Sequence, residues 1–131
     1  MTKRPRVYIA EDFVLIQEMI RNTIEPECDV AAMFEDGRDA LDAVLADPPD
    51  ILLIDASLPT MSGFAVAERA LRSHPELKIV FVTAHSDPNY VHRAFELGAK
   101  AYLLKGSLRI ELLPAIRAVY SGGVYKSSLV S

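Results

Sequence analysis

One cysteine, Cys28, among 131 residues leaves no partner for an internal disulfide. It fits a reducing, cytoplasmic setting, where a lone thiol serves as a small buried hydrophobe. No apolar run approaches the ~18 residues that a membrane crossing needs. The opening "MTKRPRVYIAED" is basic at first but reaches the acids Glu11 and Asp12 too soon for a signal peptide. A basic surplus is also missing: 14 Lys and Arg against 18 Asp and Glu give a net charge of −4. A chain so charged does not grip nucleic acid by itself, because that takes a basic face. The glycine-rich phosphate loops GxGxxG and GxxxxGK are absent, which removes the usual signature of a nucleotide-binding module. His74, His85, His92 and Cys28 lack the spacing of a metal-ligand set and read as surface or loop histidines and a core thiol. There is no internal repeat and no low-complexity stretch; only the tail "SGGVYKSSLVS" has the composition of a linker.

What is present is an alternation. Half the residues are apolar and 24% are charged, and the length suits one domain with a real core. Short strand-like runs recur: "RVYIA" (6–10), "CDVAAMF" (28–34), "ILLI" (51–54), "KIVFVT" (78–83) and "AYLL" (101–104). The third and fourth are continuously apolar, as a strand covered on both faces must be. Between them fall helical stripes: Val14, Ile16, Met19, Ile20, Ile24; then Ala40, Leu41, Val44, Leu45; then Phe64, Val66, Ala67, Ala70, Leu71; then Val91, Ala94, Phe95, Leu97, stopped at Gly98. In the fifth, "IELLPAIRAVYSGG", a proline deep inside the helix would cost about 3 kcal/mol, so a start near Ile110 with Pro114 in the first turn is expected. Five βα units predict a doubly wound, five-stranded parallel sheet, flavodoxin-like, of order 2-1-3-4-5.

In such a sheet, ligands bind beyond the carboxyl ends of the strands. Strand 1 ends at Glu11-Asp12, strand 3 at Asp55, strand 4 at Thr83 and strand 5 at Lys105. Taken singly, Asp12 reads as a helix cap, Asp55 as a turn cap, Thr83 as a β-branched strand terminus and Lys105 as a solvated cation. Requiring all of these at adjacent strand ends is the weaker account. Carboxylates crowded within ~4 Å repel by several kcal/mol and recruit either protons or a divalent cation. An all-oxygen site suits Mg²⁺, which can orient a phosphoryl donor for in-line attack by Asp55. The product is an acyl phosphate on Asp55, with Lys105 and the Thr83 hydroxyl on the phosphoryl oxygens.

With Glu11-Asp12, Asp55 followed by Pro59 and Gly63, Thr83-Ala84, and Tyr102 with Lys105, the chain resembles the receiver domain of bacterial two-component response regulators over nearly its whole length. The tail "LLPAIRAVYSGGVYKSSLVS" resembles the receiver end of the LuxR/NarL-type subfamily. The resemblance implies that Asp55 accepts a phosphoryl group from a sensor histidine kinase. It implies Mg²⁺ held by Asp12, Asp55 and the Ser57 carbonyl, with Glu11 acting through water. Thr83 and Lys105 would contact the phosphoryl group, and Tyr102 would change rotamer as Thr83 moves. Ser57 and His85 would tune water access to the acyl phosphate. Gly106 stands where many receivers have proline, often with a cis bond, and glycine leaves the isomer at Lys105-Gly106 open. Residues 1–121 are then expected to be the receiver and 122–131 the start of a linker to a C-terminal DNA-binding domain. The implied outputs are a homodimer and control of transcription, from a cytoplasmic protein without membrane contact. The alternatives are a stand-alone receiver acting through protein contacts and an aspartate-nucleophile phosphatase, which would place a second aspartate where Ser57 stands.

Overall fold

In the computed structural model, residues 4–128 and residue 130 are described. Residues 1–3, 129 and 131, at the expected start of the domain and within the expected linker, lie outside the described residues. The elements follow as β1 (Arg6–Ala10), α1 (Val14–Ile24), β2 (Asp29–Phe34), α2 (Gly37–Ala46), β3 (Ile51–Asp55), α3 (Gly63–Ser73), β4 (Lys78–Thr83), α4 (Pro88–Leu97) and β5 (Ala101–Leu104). A 3₁₀ turn (Lys105–Ser107), α5 (Leu108–Tyr120) and β6 (Tyr125–Lys126) complete the chain.

All strand pairs are parallel, in the order β2-β1-β3-β4-β5-β6. Because side chains alternate along a strand, each central strand feeds two cores. Tyr8, Leu52, Ile54, Ile79, Phe81 and Tyr102 face the core closed by α2, α3 and α4. Val7, Ile9, Ile51, Leu53, Val80 and Val82 face the core closed by α1 and α5. Each fully buried Ile, Leu or Phe contributes about 1.5–3 kcal/mol, so these strands anchor the rim that they carry. β1 pairs with both β2 and β3, which makes the β1–β3 boundary the switch point of the winding.

The structure corrects the sequence-based expectations in four places. Among the described residues the sheet has six strands, not five: Tyr125 N–H donates to the Lys100 carbonyl at 2.9 Å and Ser127 N–H to the Tyr102 carbonyl at 2.9 Å. A two-residue strand carries too little periodicity to be seen in sequence. Helix α5 begins at Leu108, and Pro114 lies inside it. Pro114 and Ile110 are on the exposed face, where solvent can satisfy the Ile110 carbonyl that the proline leaves without a donor. Val14, expected in the buried stripe of α1, is exposed, and Gln17 is buried instead. Leu45, expected in the stripe of α2, is exposed as well.

Candidate functional site

Asp55 is the last residue of β3 and is 4% exposed. The Ser57 N–H donates to Asp55 Oδ1 at 2.9 Å, so the turn-capping bond expected of this residue is present. A Cβ at Gly63 would lie 2.2 Å from the Asp55 carbonyl oxygen, so only glycine lets the start of α3 press against the end of β3. Gly63 N–H in turn donates to the Ala56 carbonyl at 2.9 Å.

Glu11 follows β1 and is buried, with Oε2 accepting the Phe13 N–H at 2.9 Å. Gln17 Nε2 donates to the Glu11 carbonyl at 3.1 Å and so fixes the backbone behind the carboxylate. Asp12 is exposed and does not cap α1, whose N-cap is Phe13 without a side-chain bond. Lys105 crosses to the acids from the end of β5. Its Nζ lies 2.9 Å from Asp55 Oδ2 and 3.0 Å from Glu11 Oε1, so it is an engaged cation and not a solvated one.

One oxygen from each of Glu11, Asp12 and Asp55 lies within 4.8 Å of the others. At that spacing each charged pair repels by about 3–4 kcal/mol at an effective dielectric of about 20. Burial pushes the Glu11 carboxyl above its usual range, and the Asp55 charge adds to this against the bonds from Phe13 and Lys105. Burial also opposes the charge on Lys105, but its bonds to Asp55 and Glu11 win and its pKa is raised. Beyond that ion pair Glu11 Oε1 has no hydrogen-bond donor among the described residues. A buried, under-satisfied oxygen beside two more carboxylates is what a hard divalent cation would complete.

Thr83 and Tyr102 meet at His85. The Thr83 Oγ1 accepts the His85 N–H at 3.1 Å, while the Tyr102 hydroxyl donates to the His85 carbonyl at 2.6 Å. Tyr102 is 0% exposed, and burial pushes its phenol up to about 12 with the Thr83 hydroxyl opposing the shift. Its ring already lies inside the core. The peptide bonds are trans throughout the described residues, Lys105-Gly106 included. Two residues escaped sequence reasoning. Gln17 lies on the buried face of α1, and Glu111 is a buried acid on the α5 stripe of Leu108, Leu112, Ala115, Ile116 and Val119. A charged residue in register with that stripe was the available signal.

A family model described as the response regulator receiver domain matches residues 7–117. The transcriptional regulatory protein DegU of Brevibacillus brevis is 31% identical over 122 residues, covering 92% of this chain and 52% of that protein. The oxygen regulatory protein NreC of Staphylococcus haemolyticus is 34% identical over 124 residues, covering 92% of this chain and 57% of its own. This chain thus spans about half the length of the curated relatives it matches. A LuxR-family two-component response regulator from Aurantimonas sp. SI85-9A1 superposes with a TM-score of 0.91 at 28% identity, over 96% of this chain and 91% of that one.

Proposed function

Because the chain belongs to the response regulator receivers of the NarL/DegU type, we propose that Asp55 takes a phosphoryl group from a histidine kinase and that the change is read at β5 and the helices beside it. The observation that carries this is the Lys105 ammonium seated between Asp55 and Glu11 at 2.9 and 3.0 Å. In the transfer, an Asp55 carboxylate oxygen forms a P–O bond as the phosphohistidine P–N bond breaks, and the leaving imidazole takes up a proton. The Ser57 N–H on Oδ1 and Lys105 on Oδ2 hold the Asp55 carboxylate in one orientation before the donor arrives. Glu11, Asp12, Asp55 and the Ser57 carbonyl would hold Mg²⁺, which neutralises charge on the moving phosphoryl group. Where an aspartate-nucleophile phosphatase would place its second aspartate, this chain has Ser57.

The added phosphoryl group brings roughly two negative charges to a rim already rich in carboxylates. Lys105 and the Thr83 hydroxyl would be the donors that answer it. Thr83 moving toward the phosphoryl group releases the His85 N–H, while Tyr102 still grips the His85 carbonyl. The segment between β4 and α4 therefore shifts as a unit against the buried Tyr102 ring. A switch of this kind needs two states within a few kcal/mol of each other.

Phe13, Leu15 and Ile110 are exposed apolar side chains at the starts of α1 and α5, beside the acidic rim. They support docking of a kinase domain against this end of the sheet. No helix among the described residues is long and apolar enough to cross a membrane, and the reading places the protein in the cytoplasm. Control of transcription through an attached DNA-binding domain, and a phosphorylation-dependent homodimer, complete the proposal. Incubation with acetyl phosphate and Mg²⁺ followed by intact-mass measurement tests it. The wild type gains one phosphoryl group and Asp55→Asn gains none; an unmodified wild type would sink the proposal.

A further inference from the structure

The segment after α5 does not leave the domain directly. It returns along β5 as β6, with Tyr125 N–H on the Lys100 carbonyl and Ser127 N–H on the Tyr102 carbonyl, each at 2.9 Å. Val130 then buries its side chain in the core that holds Tyr102, on the α4 side of the sheet. Two residues of sheet pairing would not hold a chain segment on their own. The hold comes from Glu111, a carboxylate 6% exposed on the inner face of α5. Its Oε1 accepts the Tyr125 hydroxyl at 2.8 Å and the Ser128 N–H at 3.1 Å, and its Oε2 accepts the Ser127 hydroxyl at 2.7 Å. Three donors from the returning segment thus converge on one buried anion.

That segment also touches Tyr102 and the turn that begins with Lys105. Ser107, at the end of the turn that begins with Lys105, has its hydroxyl 3.3 Å from the Ser127 hydroxyl and donates to the Leu104 carbonyl at 3.2 Å. Tyr102, whose hydroxyl holds His85, accepts the Ser127 N–H on its own carbonyl. We propose that residues 125–128, with Val130, form a strap, latched by Glu111 to the edge of β5, whose seating loosens when Asp55 is phosphorylated. Lys105 drawn toward the phosphoryl oxygens pulls on the 105–107 turn and parts Ser107 from Ser127. Movement of the loop at His85 disturbs β5 at Tyr102, where the strap is paired. The latch stands on its own geometry, while the coupling rests on the phosphoacceptor role of Asp55.

Amide hydrogen exchange at Tyr125 and Ser127, with Leu53 in the core as reference, separates the two claims. Without phosphorylation, Glu111→Gln speeds strap exchange on the order of tenfold and leaves Leu53 unchanged. Tyr125→Phe, which removes a single hydroxyl, gives a smaller increase at the same amides. Strap amides that do not respond, or that respond only in step with Leu53, overturn the latch. In the second arm the wild type is treated with acetyl phosphate and Mg²⁺, and its intact mass is recorded in parallel. A phosphorylated protein whose strap amides exchange severalfold faster supports the coupling. A phosphorylated protein with unchanged or slower strap exchange overturns it. If no phosphoryl group is gained, the coupling falls with the role of Asp55, and the latch is still judged by the first arm.

Discussion

Two buried glutamates flank the 3₁₀ turn, Glu11 through Lys105 at its start and Glu111 in the first turn of α5 beyond it, and they are charged on opposite terms. Glu11 has one backbone donor and a share of one ammonium, with Asp55 competing for that ammonium. Its carboxyl is pushed above the usual range, chiefly by burial. Glu111 is buried too, though nearer the surface, and burial again works against its charge. Yet the hydroxyls of Ser127 and Tyr125 and the Ser128 N–H outweigh this, and its pKa is held down to about 2. Burial raises the cost of a charged acid and donors aimed at it lower that cost; Glu111 has more donors and less depth. The rim is left short of donors, which suits a site that must accept a cation and a phosphoryl group. The latch is saturated, which suits a joint.

Substitution can break the contrast, and Lys105→Ala should do most damage. It leaves Glu11 and Asp55 without their shared cation and is expected to cost about 2–3 kcal/mol at neutral pH in urea unfolding. Added Mg²⁺ should restore more stability to this variant than to the wild type. Glu111→Gln comes next, with a loss of about 1–2 kcal/mol, because the amide keeps the shape but surrenders charge-assisted bonds.

Acid titration sharpens the same comparison. The folded-state pKa of Glu111, about 2, lies below its ordinary 4.5. Its contribution is thus complete above the ordinary value and disappears as pH falls toward about 2. The stability gap between wild type and Glu111→Gln should narrow across that window in urea titrations. Glu11 runs the other way: its raised pKa means that the metal-free fold loses stability as pH climbs from the ordinary value through the shifted one. Smallest in effect, Glu11→Gln should stabilise the metal-free protein by about 1 kcal/mol while weakening Mg²⁺ binding in a fluorescence or calorimetric titration. A loss of stability there would show that Glu11 is already satisfied.

Most of the fold was legible because strands and helices write their periods into the chain. The runs 51–54 and 79–82 are apolar at every position, and the structure buries them on both faces. The grouping of Glu11, Asp12, Asp55 and Lys105 followed from parallel strands that all end on one rim, and the structure brings these four together. The strap was not legible, since "SGGVYKSSLVS" is polar and short, with nothing periodic in it. Pro114 misplaced the start of α5 because the cost of an interior proline depends on which face it occupies, and that face is set by packing.

By itself, the order of residues determined the alternating elements, the two-sided burial of the central strands and the clustering of acids at the strand ends, because each depends on local pattern and on parallel winding. Only the tertiary structure decided that Lys105 is shared between Glu11 and Asp55, that Tyr102 lies inward, and that Glu111 gathers the returning chain. Those outcomes depend on distances between residues far apart in sequence, where a few tenths of an ångström separate a hydrogen bond from none.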